Sequence, residues 1–338
     1  MGFVIPLILY NIIITTSIVL RLLSSSNMSK ITDWASKDGS FHRQVSRFRD
    51  WISSDPKSKF PAEHNRYHLY ISYACPWATR TLIVRELKGL KDIISVDIVH
   101  WHIKENGWEF RKEDGATGDS LYGFTYLKDL YFKANADYVG RYTVPTLWDK
   151  RTETIVSNES SEIIRMMYTE FDCLVAKKYT EKDYYPIALR SQIDEMNDWI
   201  YDTVNNGVYK AGFATMQEVY EKEVLFLFKS LDRIEKILGS GKYLLGDQLT
   251  EADIRLFPTI IRFDPVYVQH FKCNIGMIRY NYPNINRWMK HLYYDIPGFK
   301  ETTNFKHIKK HYTKSHTQIN PHSITPVGPI PDIEPRDK

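Results

Sequence analysis

Cysteine is scarce. The 338-residue chain has three, Cys75, Cys173 and Cys273, too few and too far apart for a disulfide framework or a four-cysteine zinc site. A reducing compartment is the expectation that follows. An excess of one charge sign is lacking too: 45 Lys+Arg stand against 41 Asp+Glu, a net charge of +4. Composition therefore argues for small-molecule partners and against a nucleic-acid-binding surface. Gly and Pro number only 16 and 15, which excludes collagen-like and broadly disordered chains, and there is no internal repeat. What is present is an ordinary globular mixture with 43% hydrophobic residues. At about 150 residues per domain it suggests two domains, each able to bury a core without metal or disulfide.

The one long uncharged run is at the N-terminus, Gly2 to Leu20. It is about as long as a membrane span or the apolar part of a signal peptide, but its flanks are poor. No basic residue precedes it, Pro6 and Asn11 interrupt it, and no Ala-x-Ala-like cleavage site follows. Met28 opens a second, soluble-looking start, MSKITDWASKDGSF. Three readings stay open: a leader in 1–27 bypassed by starting at Met28, a membrane anchor, and a start site assigned too early.

From Tyr67 the pattern is strand, turn, helix, strand. Tyr67 to Ile71 is an apolar-rich run, Ser72 to Cys75 breaks it, and Pro76 occupies a first helical position. Helix follows over Thr81 to Lys88 and closes at Gly89. Ile93 to Trp101 reads as a buried strand, and 102–140 as an insertion with a short helix at Tyr126 to Tyr131. Two short strands, Val144 to Trp148 and Thr154 to Val156, precede a helix at Ser160 to Tyr168. After Asp172 strand signals vanish. Leu189, Ile193, Met196 and Ile200 recur at helical spacing, as do Val224, Leu227, Phe228, Leu231 and Leu238. Thr250 to Asp253 resembles a capping box, and Pro258 is expected to kink the helix that follows. Five prolines in the last 24 residues make the tail extended.

The fold class expected is α/β plus all-α: a thioredoxin-like domain with a mixed four-stranded sheet, followed by a helical domain. The boundaries are an arm at 28–66, the thioredoxin-like domain at 67–168, a linker at 169–185, the helical domain at 186–312 and the tail at 313–338.

Cys75 lies where a strand ends and a helix starts. Free amides and partial positive charge at a helix N-terminus ease ionisation of a thiol and make it a nucleophile. Position 78 is Ala, so no Cys-x-x-Cys dithiol exists and a mixed disulfide on Cys75 needs an external thiol to resolve it. Thr143-Val144-Pro145-Thr146 precedes a strand, where a cis proline exposes the Val144 backbone to an extended peptide. Glu159-Ser160-Ser161-Glu162 puts hydroxyl and acidic groups at a second helix start, which suits a carboxylate ligand as well as a plain cap. His100, His102, His307, His311 and His316 have some metal-like spacing, yet no cysteine or carboxylate pattern completes a site, so no metal is expected. Lys306, Lys309, Lys310 and Lys314 form a basic face that is either solvated or lines an entry for an anionic cosubstrate.

Together these blocks resemble the glutathione transferase superfamily, and within it the glutathionyl-hydroquinone reductases of the xi class. The resemblance runs from about Trp34 to the C-terminus. It rests on Tyr73 to Ala78, Gly107-Trp108, Arg141 to Trp148, Asn158 to Ile164, Asn205 to Phe213, Leu249 to Leu256, and the long block RFDPVYVQHFKCN at Arg262 to Asn274, with HYTKSHTQINP and ITPVGP in the tail. Thr79 departs from the pattern, since His often follows Cys-Pro-Trp-Ala.

The resemblance implies glutathione as cosubstrate, Cys75 as nucleophile, and Trp108, Arg141, Val144, Glu159 and Ser160 as glutathione-binding residues. It implies Tyr209 and Tyr312 facing a hydroquinone, with Tyr267 as a weaker substrate-binding candidate, and a homodimer. Phenols suit that place, because they donate to a phenolate while their rings pack on an aromatic substrate. The activity implied is removal of glutathione from glutathionyl hydroquinones through a Cys75 mixed disulfide. The alternatives are an omega-like thioltransferase or dehydroascorbate reductase, and a non-catalytic binding module. Asn158-Glu159-Ser160 is also a glycosylation sequon. Passage through the secretory lumen would risk a glycan beside the ligand site, so the cytosol is the expected location, with an anchored or organelle-targeted form through 1–27 as the alternative.

Overall fold

The computed structural model describes residues 35, 36 and 38–337. The apolar segment 1–27 and Trp34 lie outside the described residues. The expected strands assemble into one sheet of order β2-β1-β3-β4, formed by β1 (Tyr67–Ile71), β2 (Ser95–Ile98), β3 (Thr146–Asp149) and β4 (Thr154–Ser157). β1 runs parallel to β2 and antiparallel to β3, and β3 is antiparallel to β4. All of β1 is buried, as a central strand covered on both faces must be.

The helices are α1 (Pro76–Leu87), α2 (Leu127–Ala134), α3 (Ser160–Thr169), α4 (Arg190–Ile200), α5 (Gly207–Gly212), α6 (Gln217–Leu238), α7 (Glu251–Ile260), α8 (Pro283–Asp295) and α9 (Phe305–Ser315). Shorter helical turns fill some of the segments between them. α1 carries the chain from β1 to the parallel β2 and packs on both α3 and α7. Being covered from two sides, it buries Ala78, Thr79, Leu82, Ile83, Val84 and Leu87 and leaves only Trp77, Arg85 and Glu86 partly exposed. It starts at Pro76, the first helical position expected for it, because the proline ring sets a helical φ and needs no N–H partner there. It ends ahead of Gly89, whose φ of +66° suits glycine and where a Cβ would lie 2.5 Å from the Tyr179 ring.

β2 is shorter than the apolar run Ile93 to Trp101. Pairing from His68↔Ser95 to Ile71↔Ile98 exhausts the partner strand. β3 begins at Thr146, one residue after Pro145, which has no N–H for the ladder.

In the helical half, α6 buries Val224, Leu227, Phe228, Leu231, Ile234 and Leu238 along one stripe. The expected cap forms at α7: the Thr250 N–H and hydroxyl both donate to Asp253. The other Asp253 oxygen accepts from the Leu244 amide and the Trp288 indole at 3.0 and 2.9 Å. Pro258 lies within α7. α9 runs on to Ser315, past the expected domain boundary at 312. The tail beyond it has no helix and is tied down: Lys309 Nζ donates to the Val327 carbonyl, and Arg279 donates to the carbonyls of Pro331 and Asp332.

Candidate active site

Cys75 is the N-cap residue of α1 and is 9% exposed. Its Sγ donates to the Val144 carbonyl at 3.2 Å, and the Val144–Pro145 peptide is cis. The strand end, the helix start and the proline loop therefore meet at one sulfur. Ionisation is not as easy as the helix terminus alone suggests. Burial pushes the Cys75 thiol up, while the amides of Ala78 and Trp77 and the charges of Arg262 and Arg43 pull it down without overcoming the burial.

Trp77 and Val144 line a cleft of about 210 Å³ together with Arg43, Ser46, Arg49, Thr143, Glu159 and Ser160. Glu159 is the N-cap of α3, and one of its oxygens accepts from the amide and hydroxyl of Ser161 at 3.1 and 2.9 Å. The other accepts from the Ser46 hydroxyl at 3.0 Å. Burial pushes this carboxyl up, but those donors and the Arg80 charge outweigh it, so it lies below its ordinary value. Arg49 pairs with Glu162 on the same helix. An arm segment ahead of the sheet thus forms one wall of the cleft.

Beyond the sulfur the helical half contributes three phenols. Tyr312 Oη lies 2.6 Å from Tyr209 Oη and 3.0 Å from Tyr267 Oη, so Tyr312 is the hub of the group. Tyr209 comes from α5, Tyr267 from a π-helical turn at Phe263–Tyr267, and Tyr312 from α9. Burial pushes all three phenols up, so they are proton donors rather than bases near neutral pH. The Cys75 charge contributes to the upward push on Tyr209, while Arg43 pulls it down.

The fully buried Arg262 ties this half to the sulfur. It donates to the carbonyls of Ala74, Tyr73 and Pro258 at 3.2, 2.9 and 2.7 Å, and to the Thr79 hydroxyl at 2.9 Å. That hydroxyl in turn donates to the Cys75 carbonyl at 3.1 Å. The residue that departs from the family's pattern is thus part of the frame around the nucleophile.

Of the residues singled out in the sequence, Val144, Glu159 and Ser160 share the cleft. Trp108 and Arg141 are not among its lining residues. Trp108 is buried and stacks on His311 at 5.0 Å between ring centroids. The Arg141 N–H donates to Gln44 Oε1 in the arm. His270 and His316 bond to each other at 3.1 Å, and His311 bonds the Trp101 carbonyl. Among the described residues, His100, Glu113 and Asp114 have donor atoms close enough to share a cation. Arg111 already donates to His100 Nδ1, and Lys306, Lys310 and Trp101 occupy the Asp114 oxygens. Cys273 is buried and Cys173 exposed.

Arg43, Ser46 and Arg49 are residues of the site that sequence reasoning missed. They sit in a polar stretch without periodicity, and nothing local signals that it folds back on the cleft. Arg262 opens the long block RFDPVYVQHFKCN of the resemblance, but a guanidinium carries no mark of being buried.

Residues 74–170 match the family model for the glutathione S-transferase N-terminal domain, and 217–291 match that for the C-terminal domain. The chain is 60% identical to the glutathione S-transferase omega-like 2 of Schizosaccharomyces pombe, covering 90% of this chain and 98% of that one. It is 54% identical to the glutathionyl-hydroquinone reductase YqjG of Escherichia coli, over 89% and 93% of the two chains. A structure of the latter has been solved with glutathione bound and superposes with a TM-score of 0.80 at 55% identity, covering 86% of this chain and 94% of that one. The crystal structure of the xi glutathione transferase of Phanerochaete chrysosporium superposes with a TM-score of 0.88 at 57% identity, over 92% and 98% of the chains. With both domain models matched, and relatives this similar over nearly their whole length, the chain belongs to the xi-class, omega-like glutathione transferases.

Proposed function

We propose that the chain is a glutathionyl-hydroquinone reductase, with Cys75 as nucleophile. The observation that carries this reading is one buried thiol bonded to the Val144 carbonyl of the cleft that Glu159 and Ser160 cap, with three linked phenols of which Tyr209 has its ring 5.0 Å from the cleft residue Arg43. A thioltransferase acting on small disulfides needs the first two features. Only an aromatic substrate that develops charge on a ring oxygen gives the phenols work.

In this reading the γ-glutamyl end of glutathione lies at the start of α3 by Glu159 and Ser160, and the Val144 backbone pairs with the peptide. Arg141 meets the glycyl end and Trp108 packs on the ligand. The Cys75 thiolate attacks the glutathione sulfur of the substrate. The carbon–sulfur bond breaks, its electron pair passes to the ring, and the aromatic takes up a proton and leaves as hydroquinone. A second glutathione thiolate attacks the mixed disulfide, releases the Cys75 thiolate and departs as glutathione disulfide. Tyr209 and Tyr312 donate to the ring oxygen, with Tyr267 behind them, and no metal takes part. A homodimer belongs to the same reading and is checked by sedimentation.

The catalytic domain faces the cytosol, where reduced glutathione is available. The Asn158 side chain supports this: its amide nitrogen donates to Tyr131 Oη and its oxygen accepts from the Phe48 N–H, so a glycan there is incompatible with the fold. Among the described residues no helix is long and apolar enough to cross a membrane. An unmodified Asn158 in the native protein is the expected mass-spectrometric result.

The deciding experiment is one assay of the purified chain with glutathionyl-menadiol beside dehydroascorbate. Reduction of the aromatic thioether with release of glutathione disulfide is expected. Reduction of dehydroascorbate alone makes the chain a general thioltransferase. Glutathione binding without either activity makes it a binding module.

A further inference from the structure

One strongly basic group at the site has no role in the reading above. The Arg43 guanidinium lies 4.5 Å from the Trp77 ring, 5.0 Å from the Tyr209 ring and 5.3 Å from the Phe41 ring. Its Nε donates to Asn206 Oδ1 at 2.7 Å. Among the described residues its two Nη atoms have no hydrogen-bond partner, and no carboxylate lies within salt-bridge distance. It is half-buried and lines the same cleft as Val144, Glu159 and Ser160. Aromatic walls hold the cation and strip part of its water, so its field acts at closer to full strength than that of a surface arginine. That field reaches both the Cys75 sulfur and the Tyr209 phenol.

We propose that Arg43 is a further catalytic residue of this reaction, binding the anionic ring oxygen of the departing aromatic through its free N–H fork. The proposal rests on the reductase reading. Its chemical basis is the fate of the electrons. An aryl carbanion is a poor leaving group, whereas a substrate tautomer protonated at the sulfur-bearing carbon carries a ring ketone. When the Cys75 thiolate takes the sulfur, the carbon–sulfur pair restores the aromatic ring and ends on that oxygen as a phenolate, which then takes a proton. The ring is reduced by two electrons and the two sulfurs are oxidised to a disulfide. The phenols can donate to the new anion but carry no charge. Arg43 supplies the charge, and a planar fork suits an oxygen anion better than a single donor does.

The test compares the wild-type chain with Arg43→Gln and Arg43→Lys on two substrates at saturating glutathione: glutathionyl-menadiol, and the mixed disulfide of glutathione and 2-mercaptoethanol, which has no ring oxygen. Arg43→Gln should lower kcat/KM for the aromatic on the order of 100-fold and that for the disulfide by no more than about 10-fold, the part common to both substrates being the lost pull of Arg43 on the Cys75 thiol. Arg43→Lys should recover at least about ten-fold of the aromatic loss, because it restores the charge without the fork. Equal losses on both substrates, an undiminished aromatic rate, or no recovery with lysine would overturn the proposal. A wild-type chain that reduces the disulfide and leaves glutathionyl-menadiol untouched refutes the reductase reading itself, and that outcome is read without any variant.

Discussion

At Cys75 two effects of burial oppose each other. The site keeps water from the sulfur, which raises the thiol, and it supplies the amides and guanidinium charges that favour the thiolate. A serine fits the same space but has no usable alkoxide at neutral pH. Cys75→Ser should therefore abolish reductase turnover while glutathione affinity, measured by calorimetry, stays within a few-fold. An active serine variant would remove Cys75 from the mechanism. The phenols offer a graded test. Tyr312 bonds both Tyr209 and Tyr267, so Tyr312→Phe strands two partners where Tyr209→Phe strands one. Each should cost on the order of 3 kcal/mol of transition-state stabilisation with a glutathionyl hydroquinone and much less with a small disulfide. Similar losses on both substrates would favour the general thioltransferase.

At the level of elements, close approach between helices decides whether the phenol group forms. Gly212 ends α5, and a Cβ built there would lie 2.1 Å from the Phe271 ring. Phe271 is stacked parallel to Tyr267 at 5.5 Å and meets Tyr312 edge-on. Gly212→Ala must move that ring, and overpacking of this kind costs about 1–3 kcal/mol. Thermal unfolding should show the loss of stability, and aromatic turnover should fall with it, although residue 212 carries no reactive group. Stability unchanged within about 0.5 kcal/mol would mean that the segment holding Phe271 yields freely. The same elements mark what was legible in sequence. The α6 stripe and the Thr250 cap were readable because periodicity and capping are local. The short β2 was not, because its limit is set by the length of its partner strand β1.

For the molecule as a whole, a cluster of neutral histidines sets an acid limit. Burial holds His311 at about 4 and His270 at about 3, and pushes His316 well below the ordinary 6.5. These values are depressed in the folded chain, so protonation favours unfolding. The stability they contribute is complete above pH 6.5 and is lost as pH falls towards 4 and 3. For His311 alone the loss at pH 4 is on the order of 3 kcal/mol. The melting temperature should drop steeply between pH 6.5 and 4, and a flat profile there would show that the cluster is not held neutral. Because these rings pack around Tyr312 and Trp108, acid should disorder the aromatic side of the site before it exposes the core of the sheet.

The sequence by itself determined the local items: a strand before Cys75, a proline at the first position of α1, the Val144–Pro145 turn, the Glu159 cap and the helical stripes. Each is dictated by backbone chemistry or by periodicity within a few residues. Motif likeness carried the family and named Tyr209, Tyr267 and Tyr312, residues that 23 tyrosines would otherwise have hidden. Only the tertiary structure decided that Tyr312 is the hub, that Arg262 and Thr79 frame the sulfur, and that an aperiodic arm brings Arg43 and Ser46 to the cleft. It also decided that burial, rather than the helix terminus, dominates at Cys75. The physical reason is common to all four. Desolvation, charge proximity and hydrogen-bond partnership depend on distances between segments far apart in the chain, and no local pattern encodes those distances.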